Sequence, residues 1–221
     1  MKIPKPNKER GRRRASANPE SADSRMQLVS AATRLFAERG FDGTTTRDIA
    51  DVSGLNISLI SYYFGGKDGL LRACLEQIES RLSNLDVLQL SDDRAEYFQS
   101  LGKFIAGYIR SHVENPYMHR LMQREQERDS SAFKSMVHQK YAPWYRQMSK
   151  FIEHGQVHGW VKSDLNATTA ALAMVGAMVQ QVRLDTFRSE LQGYSLAEPQ
   201  YCEEVIRDLK SIILNGLEQA R

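Results

Sequence analysis

An all-α chain is predicted, with an N-terminal three-helix helix-turn-helix domain and a larger helical C-terminal part. Three observations predict it. Apolar residues recur at intervals of three and four from residue 24 onward, with no clear alternating segment. Gly40, Gly54 and Gly65-Gly66 cut the first third of the chain into short helices. The 221 residues, 41% of them hydrophobic, suffice for a small domain fused to a larger one.

Residues 1–23 carry Pro4, Pro6, Pro19 and a cluster of cations, Lys2, Lys5, Lys8, Arg10, Arg12, Arg13 and Arg14, against the single acid Glu9. Little here can pack, so a disordered basic arm is expected. Its place beside the helix-turn-helix favours contact with phosphates or a minor groove over a merely solubilising tail. Next, Leu28, Val29, Ala32, Leu35 and Phe36 form one face of a helix over 24–39, stopped by Gly40. Phe41 should plug the same core, and Asp42-Gly43 should turn the chain.

The stretch from Thr44 to Lys67 is the one on which the reading turns. Thr46 is expected to cap a short helix whose inner face is Ile49 and Ala50. Ser53-Gly54 gives the turn, and Asn56 should cap a second helix. In that helix Leu55, Ile60 and Phe64 face inward, while Ile57, Ser58, Ser61 and Tyr62 lie on or near the other face. Two short helices about a glycine turn, the second presenting small polar and aromatic side chains, are the layout of a DNA reader. Candidate DNA contacts are Thr46, Arg47, Asn56, Ile57, Ser58, Ser61, Tyr62, Tyr63 and Lys67. Arg47 is long enough for a guanine edge, Ile57 suits a thymine methyl, and the hydroxyls can meet phosphates or base edges. Lys67, at the positive end of the next helix, is the expected best single phosphate contact.

The runs Thr46-x-x-Ile49-Ala50-x-x-x-Gly54-Leu55-Asn56 and Tyr62-Tyr63-Phe64-x-x-Lys67-Asp68-x-Leu70-Leu71 resemble the signature of the TetR family of transcriptional regulators, over roughly residues 24–72. Asn56, Ser61 and Tyr63 depart from it, standing where Ser, Tyr and His are common. The resemblance implies a dimer whose C-terminal domain binds a small-molecule effector. It also implies that the helix after Lys67, carrying Leu70, Leu71, Cys74, Ile78 and Leu82, is a lever between that domain and the reader.

Beyond Asp93, one apolar stripe runs from Phe98 to Val113 and stops at Asn115-Pro116. A long helix is expected from Phe133 to Ile152, with a possible kink at Pro143, and Gly155 to Gly159 should loosen the chain. This middle region is rich in Met and aromatic residues, suited to an adjustable apolar pocket as well as to an ordinary core. The expected pocket residues are Ile105, Tyr108, His112, Met118, Met122, Met136, Tyr141, Trp144, Tyr145, Met174 and Met178, with His119 as a further polar group. Two last helices, 167–184 and 201–217, should build a dimer interface through Ala170, Ala173, Met174, Ala177, Met178, Val205, Leu209, Ile212 and Ile213.

The expected division is therefore an arm over 1–23, a helix-turn-helix domain over 24–70, and an effector-binding and dimerisation domain over 71–221. Cys74 and Cys202 read as buried apolar residues, the five histidines are scattered outside any recognised metal motif, and neither cofactor nor metal is expected. No apolar run approaches the ~20 residues that span a bilayer, and no secretory segment is evident, so a cytoplasmic protein is expected. A nucleophile elbow, a phosphate-cradling glycine loop and a zinc His-Glu-x-x-His pair are all missing from the sequence, which argues against an enzyme. The leading expectation is a homodimeric repressor on palindromic operator DNA, released by a small molecule. A non-specific architectural DNA-binding protein and a helical carrier of hydrophobic ligands are the alternatives.

Overall fold

The computed structural model describes residues 19–83 and 88–218, with the backbone alone of residues 19–21, 79 and 81–83. Residues 1–18 of the expected basic arm and the side chain of Leu82 lie outside the described residues. Among the described residues there are eleven α-helices and no strand.

Helix α1 (Pro19–Arg39) starts five residues before the expected Ser24, so the end of the presumed arm is helical. Proline suits a first helical position, where its missing N–H costs nothing. Gly40, at φ 79°, closes α1 with its N–H on Phe36 O at 2.9 Å. Helix α2 (Thr46–Ser53) is capped by Thr45 and not by Thr46. Thr45 Oγ1 accepts the Asp48 N–H at 3.1 Å, and Asp48 Oδ2 accepts the Thr45 N–H at 2.8 Å. That reciprocal pair satisfies two orphan donors at once, a gain Thr46 could not offer. Gly54, at φ 71°, closes α2. Helix α3 (Ser58–Phe64) follows; its N-cap residue is Ile57 and not the expected Asn56, which stands one residue earlier and accepts the Ser58 N–H on Oδ1 at 2.9 Å. Gly65 and Gly66, both at positive φ, lead into α4 (Lys67–Ser83).

The C-terminal part holds α5 (Arg94–Glu114), α6 (Pro116–Arg128) and α7 (Ser131–Met136). A single π-helical segment, Val137–Tyr141, joins α7 to α8 (Ala142–Val157). Pro143 therefore sits in the first turn of α8, where the wider π turn absorbs the bond that proline cannot donate. Gly155 does not loosen the chain but lies inside α8: a Cβ there would come within 2.5 Å of Tyr97 Oη and 2.6 Å of Val161 Cγ2. The break comes at Gly159, at φ 69°. Helices α9 (Ala167–Arg183), α10 (Asp185–Gln192) and α11 (Pro199–Leu217) complete the chain, α10 being a helix the sequence reading did not separate.

Two apolar clusters hold these helices. The first takes Leu28, Phe36, Ile49, Ile60, Leu70, Leu71, Cys74 and Ile78 from α1–α4, and Leu121 of α6 and Met136 of α7 join it. The second is built from α5, α8, α9 and α11 around Tyr97, Phe151, Met148 and Ile206. Tyr97 and Phe151 stack at 4.0 Å, and Tyr97 Oη donates to Phe151 O at 2.9 Å, so the buried phenol is satisfied. Cys74 and Cys202 are both free and buried, and burial pushes the Cys74 thiol up to about 12, so it stays a protonated packing group.

Candidate nucleic-acid interface and ligand cavity

The fold presents one face of α2 and α3 to solvent. Ile49 and Ile60 are fully buried beneath it, and Leu55, Leu59 and Phe64 pack against the same cluster. Because an α-helix separates residues 3.6 to the turn, burying Ile60 directs Ser58, Ser61 and Tyr62 outward. Arg47, Ile57, Ser58, Ser61 and Tyr62 are all exposed, Tyr62 by 72%. An exposed tyrosine of that extent sits ready for a polar partner, its ring held edge-on to Tyr63 at 5.0 Å.

Four expected contacts stand differently. Tyr63 is half-buried and packs on the N-terminal cluster. Thr46 is half-buried and is not the cap, and the side-chain oxygen of Asn56 already accepts the Ser58 N–H. Lys67 is the clearest correction: its Nζ donates to Phe41 O and Thr44 O, both at 2.9 Å, and lies 4.2 Å over the Phe41 ring. Those carbonyls lie in the turn from α1 to α2, where Phe41 O also accepts the Thr44 N–H at 3.3 Å, so the ammonium is spent on backbone acceptors instead of standing free for phosphate. Asp48 is held below the usual carboxylate range by hydrogen bonds from Thr45. Its negative charge thus belongs to the α2 cap.

A cavity of about 620 Å³ opens between α5, α6, the π segment, α8 and α9. Tyr108, His112, Met118, Met122, Tyr141, Trp144 and Tyr145 line it, as expected from sequence. Ile105, Met136, Met174 and Met178 do not: all four are buried in the two apolar clusters. Phe133, Val137, Val175 and Val179 extend the apolar wall, and Gln126, Arg146 and Arg183 add polar groups. These were missed because periodicity tells which face is apolar, not which of two apolar surfaces it meets.

The polar groups of the cavity are mostly already engaged. His112 Nδ1 lies 2.7 Å from Tyr108 O, and its ring packs on Tyr108 at 4.2 Å and on His119 at 4.9 Å. Burial pushes His112 below its ordinary range, partly offset by that carbonyl. His119 is also lowered, to about 4, by burial first and then by the neighbouring His112 and Arg183. It is neutral at pH 7. Its Nε2 is buried and has no hydrogen-bond partner among the described residues.

The residues expected at a dimer interface also divide. Met174, Met178, Leu209 and Ile213 are buried inside the chain's own second cluster and are unavailable to a partner. Ala170, Ala177 and Val205 are half-buried, Ala173 is exposed, and Ile212 is 67% exposed.

Comparison with known proteins agrees with this architecture. The family profile for bacterial regulatory proteins of the tetR family matches residues 28–74, which contain α2, α3 and the cluster beneath them. The HTH-type transcriptional dual regulator CecR of Shigella flexneri is 27% identical over 171 residues, 71% of this chain and 74% of CecR. The HTH-type transcriptional repressor NicS of Pseudomonas putida is 23% identical over 216 residues, 94% of this chain and 99% of NicS. Among solved structures, the ketosteroid transcriptional regulator KstR2 of Mycobacterium tuberculosis superposes with a TM-score of 0.71 at 19% identity, covering 93% of this chain and 98% of that one. With a capped helix-turn-helix, an all-α body and these relatives in agreement, residues 28–74 are a DNA-binding domain of the tetR type, and the chain is a DNA-binding transcriptional regulator that resembles TetR-family regulators along its length.

Proposed function

We propose that the protein is a homodimeric repressor whose grip on operator DNA is released by a small, largely apolar effector held in the cavity of α5–α9. The observation that carries this is the double use of α6. One face of α6 lines the cavity with Met118, His119, Met122 and Gln126. The other meets the reader: Leu121 is fully buried in the N-terminal cluster, Arg124 donates to Glu38 O at 3.1 Å, and Arg128 lies over Phe41 at 4.3 Å. A ligand that displaces α6 therefore moves the turn that carries α2. Release requires it to favour the displaced arrangement, since a ligand that binds both equally shifts nothing.

The wall chemistry suggests the effector's class. Aromatic rings and methionines favour a flat apolar body, and the unpartnered Nε2 of His119 favours one hydroxyl or other hydrogen-bonding group at the α6 end. Arg47, Ile57, Ser58, Ser61 and Tyr62 are assigned to DNA because they form the exposed face above buried Ile49 and Ile60. Dimerisation is assigned to the outward faces of α9 and α11, where Ala173, Gly176, Ile212 and Gly216 are exposed. A Cβ at Gly176 or Gly216 would meet nothing within 4 Å, so a partner helix can approach closely there. Two readers on a two-fold axis suit a palindromic site.

The test is to fill the cavity. Val179→Trp should leave operator affinity unchanged and abolish release by a molecule extracted from the purified wild-type chain. If that molecule binds wild type without weakening operator binding at least about tenfold, release by the cavity is wrong.

A further inference from the structure

The histidines expected to be scattered are not all so. His154 and His158 stand one turn apart at the end of α8, their ring centroids 4.3 Å apart. Asp92, just before α5, reaches both: its Oδ1 lies 3.6 Å from His154 Nε2 and 3.3 Å from His158 Nε2. The three ligand atoms all fall within 4.8 Å of one another. We infer that Asp92, His154 and His158 form a binding site for a divalent transition-metal ion, of the zinc, cobalt or nickel type.

The donor set selects the ion class. Two imidazoles and one carboxylate suit borderline divalent metals, whereas magnesium and calcium demand oxygen ligands. Metal–ligand bonds of about 2.1 Å at tetrahedral or octahedral angles separate ligand atoms by roughly 3.0–3.4 Å. The two carboxylate–imidazole separations are already within a few tenths of that range. The spacing His154-x-x-x-His158 is the helical i, i+4 arrangement that puts both rings on one face.

The surroundings prepare these rings. His158 Nδ1 lies 2.9 Å from His154 O, which fixes the proton on Nδ1 and leaves the Nε2 lone pair for a metal. Trp160 stacks on the His158 ring at 4.5 Å and holds its plane. His154 Nε2 is 2.9 Å from Ser91 O, so without metal this nitrogen is the donor. Binding would replace that proton with the ion, with Ser91 O left beside the site. The side chains of His154 and His158 are 19% and 30% exposed and that of Asp92 is 86% exposed, so the site opens to solvent and water can complete the coordination. Asp92 precedes Asp93, the cap of α5, so an ion here ties the entry of α5 to the end of α8.

Calorimetric titration of the full, untagged, chelator-treated chain with Zn²⁺, and its cobalt absorption spectrum, decide the matter. One ion per chain is expected. His158→Ala and Asp92→Asn, both at the solvent side, should each weaken binding about 10–100-fold, and His138→Ala should not. Zn²⁺ should also raise the Tm of wild type and not that of His158→Ala. A wild-type chain that takes up no Zn²⁺ or Co²⁺, or a His158→Ala chain that binds as wild type does, overturns the assignment.

Discussion

The guanidinium of Arg128, at the last residue of α6, lies 4.3 Å over the ring of Phe41, and Lys67 Nζ lies 4.2 Å from the same ring. Phe41 is thus met by two cations, one from the end of α6 and one from the start of α4. Arg128 also pairs with Glu125 at 3.2 Å, whose carboxylate is 1% exposed. Removing Arg128 would leave that carboxylate buried without its charge partner, so Arg128→Ala should cost about 2–4 kcal/mol in urea denaturation. Arg128→Ala with Glu125→Gln should recover part of the loss.

Lys67→Met should behave as a stability variant first. Its ammonium serves two carbonyls of the α1–α2 turn, so Tm should fall along with affinity for all DNA. Arg47→Ala and Tyr62→Ala, both at exposed positions, should leave Tm unchanged while weakening operator binding.

The cap of α2 makes a paired prediction. Thr45→Ala should destabilise by about 1–2 kcal/mol, whereas Thr46→Ala should change stability by less than about 0.5 kcal/mol. Urea unfolding of the two variants side by side measures the difference.

Acid stability should carry the mark of His119. Its folded pKa, about 4, lies below the ordinary 6.5, so between those values the unfolded chain binds the proton and the folded chain does not. Stability therefore falls as pH drops from about 6.5 to about 4, by an amount of order 2–3 kcal/mol from this group. His119→Gln should flatten that part of the pH–stability curve. An NMR titration should show the His119 ring neutral down to about pH 5.

Gly155→Ala should destabilise by about 1–3 kcal/mol, because the added methyl collides with buried Tyr97 and Val161, neither of which can swing away. Gly176→Ala meets open space within the chain and should be neutral in a monomer. Any loss of dimerisation in Gly176→Ala would mark α9 as the interface.

Much of this was legible in the sequence because the deciding interactions are local. Gly54 and Gly65 mark their own turns, and the burial of Ile49 and Ile60 follows from helical period. What was not legible depends on distant partners. Nothing near Lys67 announces that its ammonium turns back to Phe41 and Thr44, 26 and 23 residues upstream. Met174, Met178, Leu209 and Ile213 carry the same apolar signal whether they meet a partner subunit or their own core. The Thr45-x-x-Asp48 capping box and the His154–His158 spacing were present as signals and went unread.

Selection of DNA fragments from a random library, followed by sedimentation of the bound complex, tests the central claim most directly. A two-fold reader built on the exposed α2–α3 face predicts enrichment of an inverted repeat bound by two chains, at least about 10³-fold over random DNA, and lost in Arg47→Ala with Tyr62→Ala. Equal affinity for random and selected DNA, or one chain bound per selected site, would contradict it.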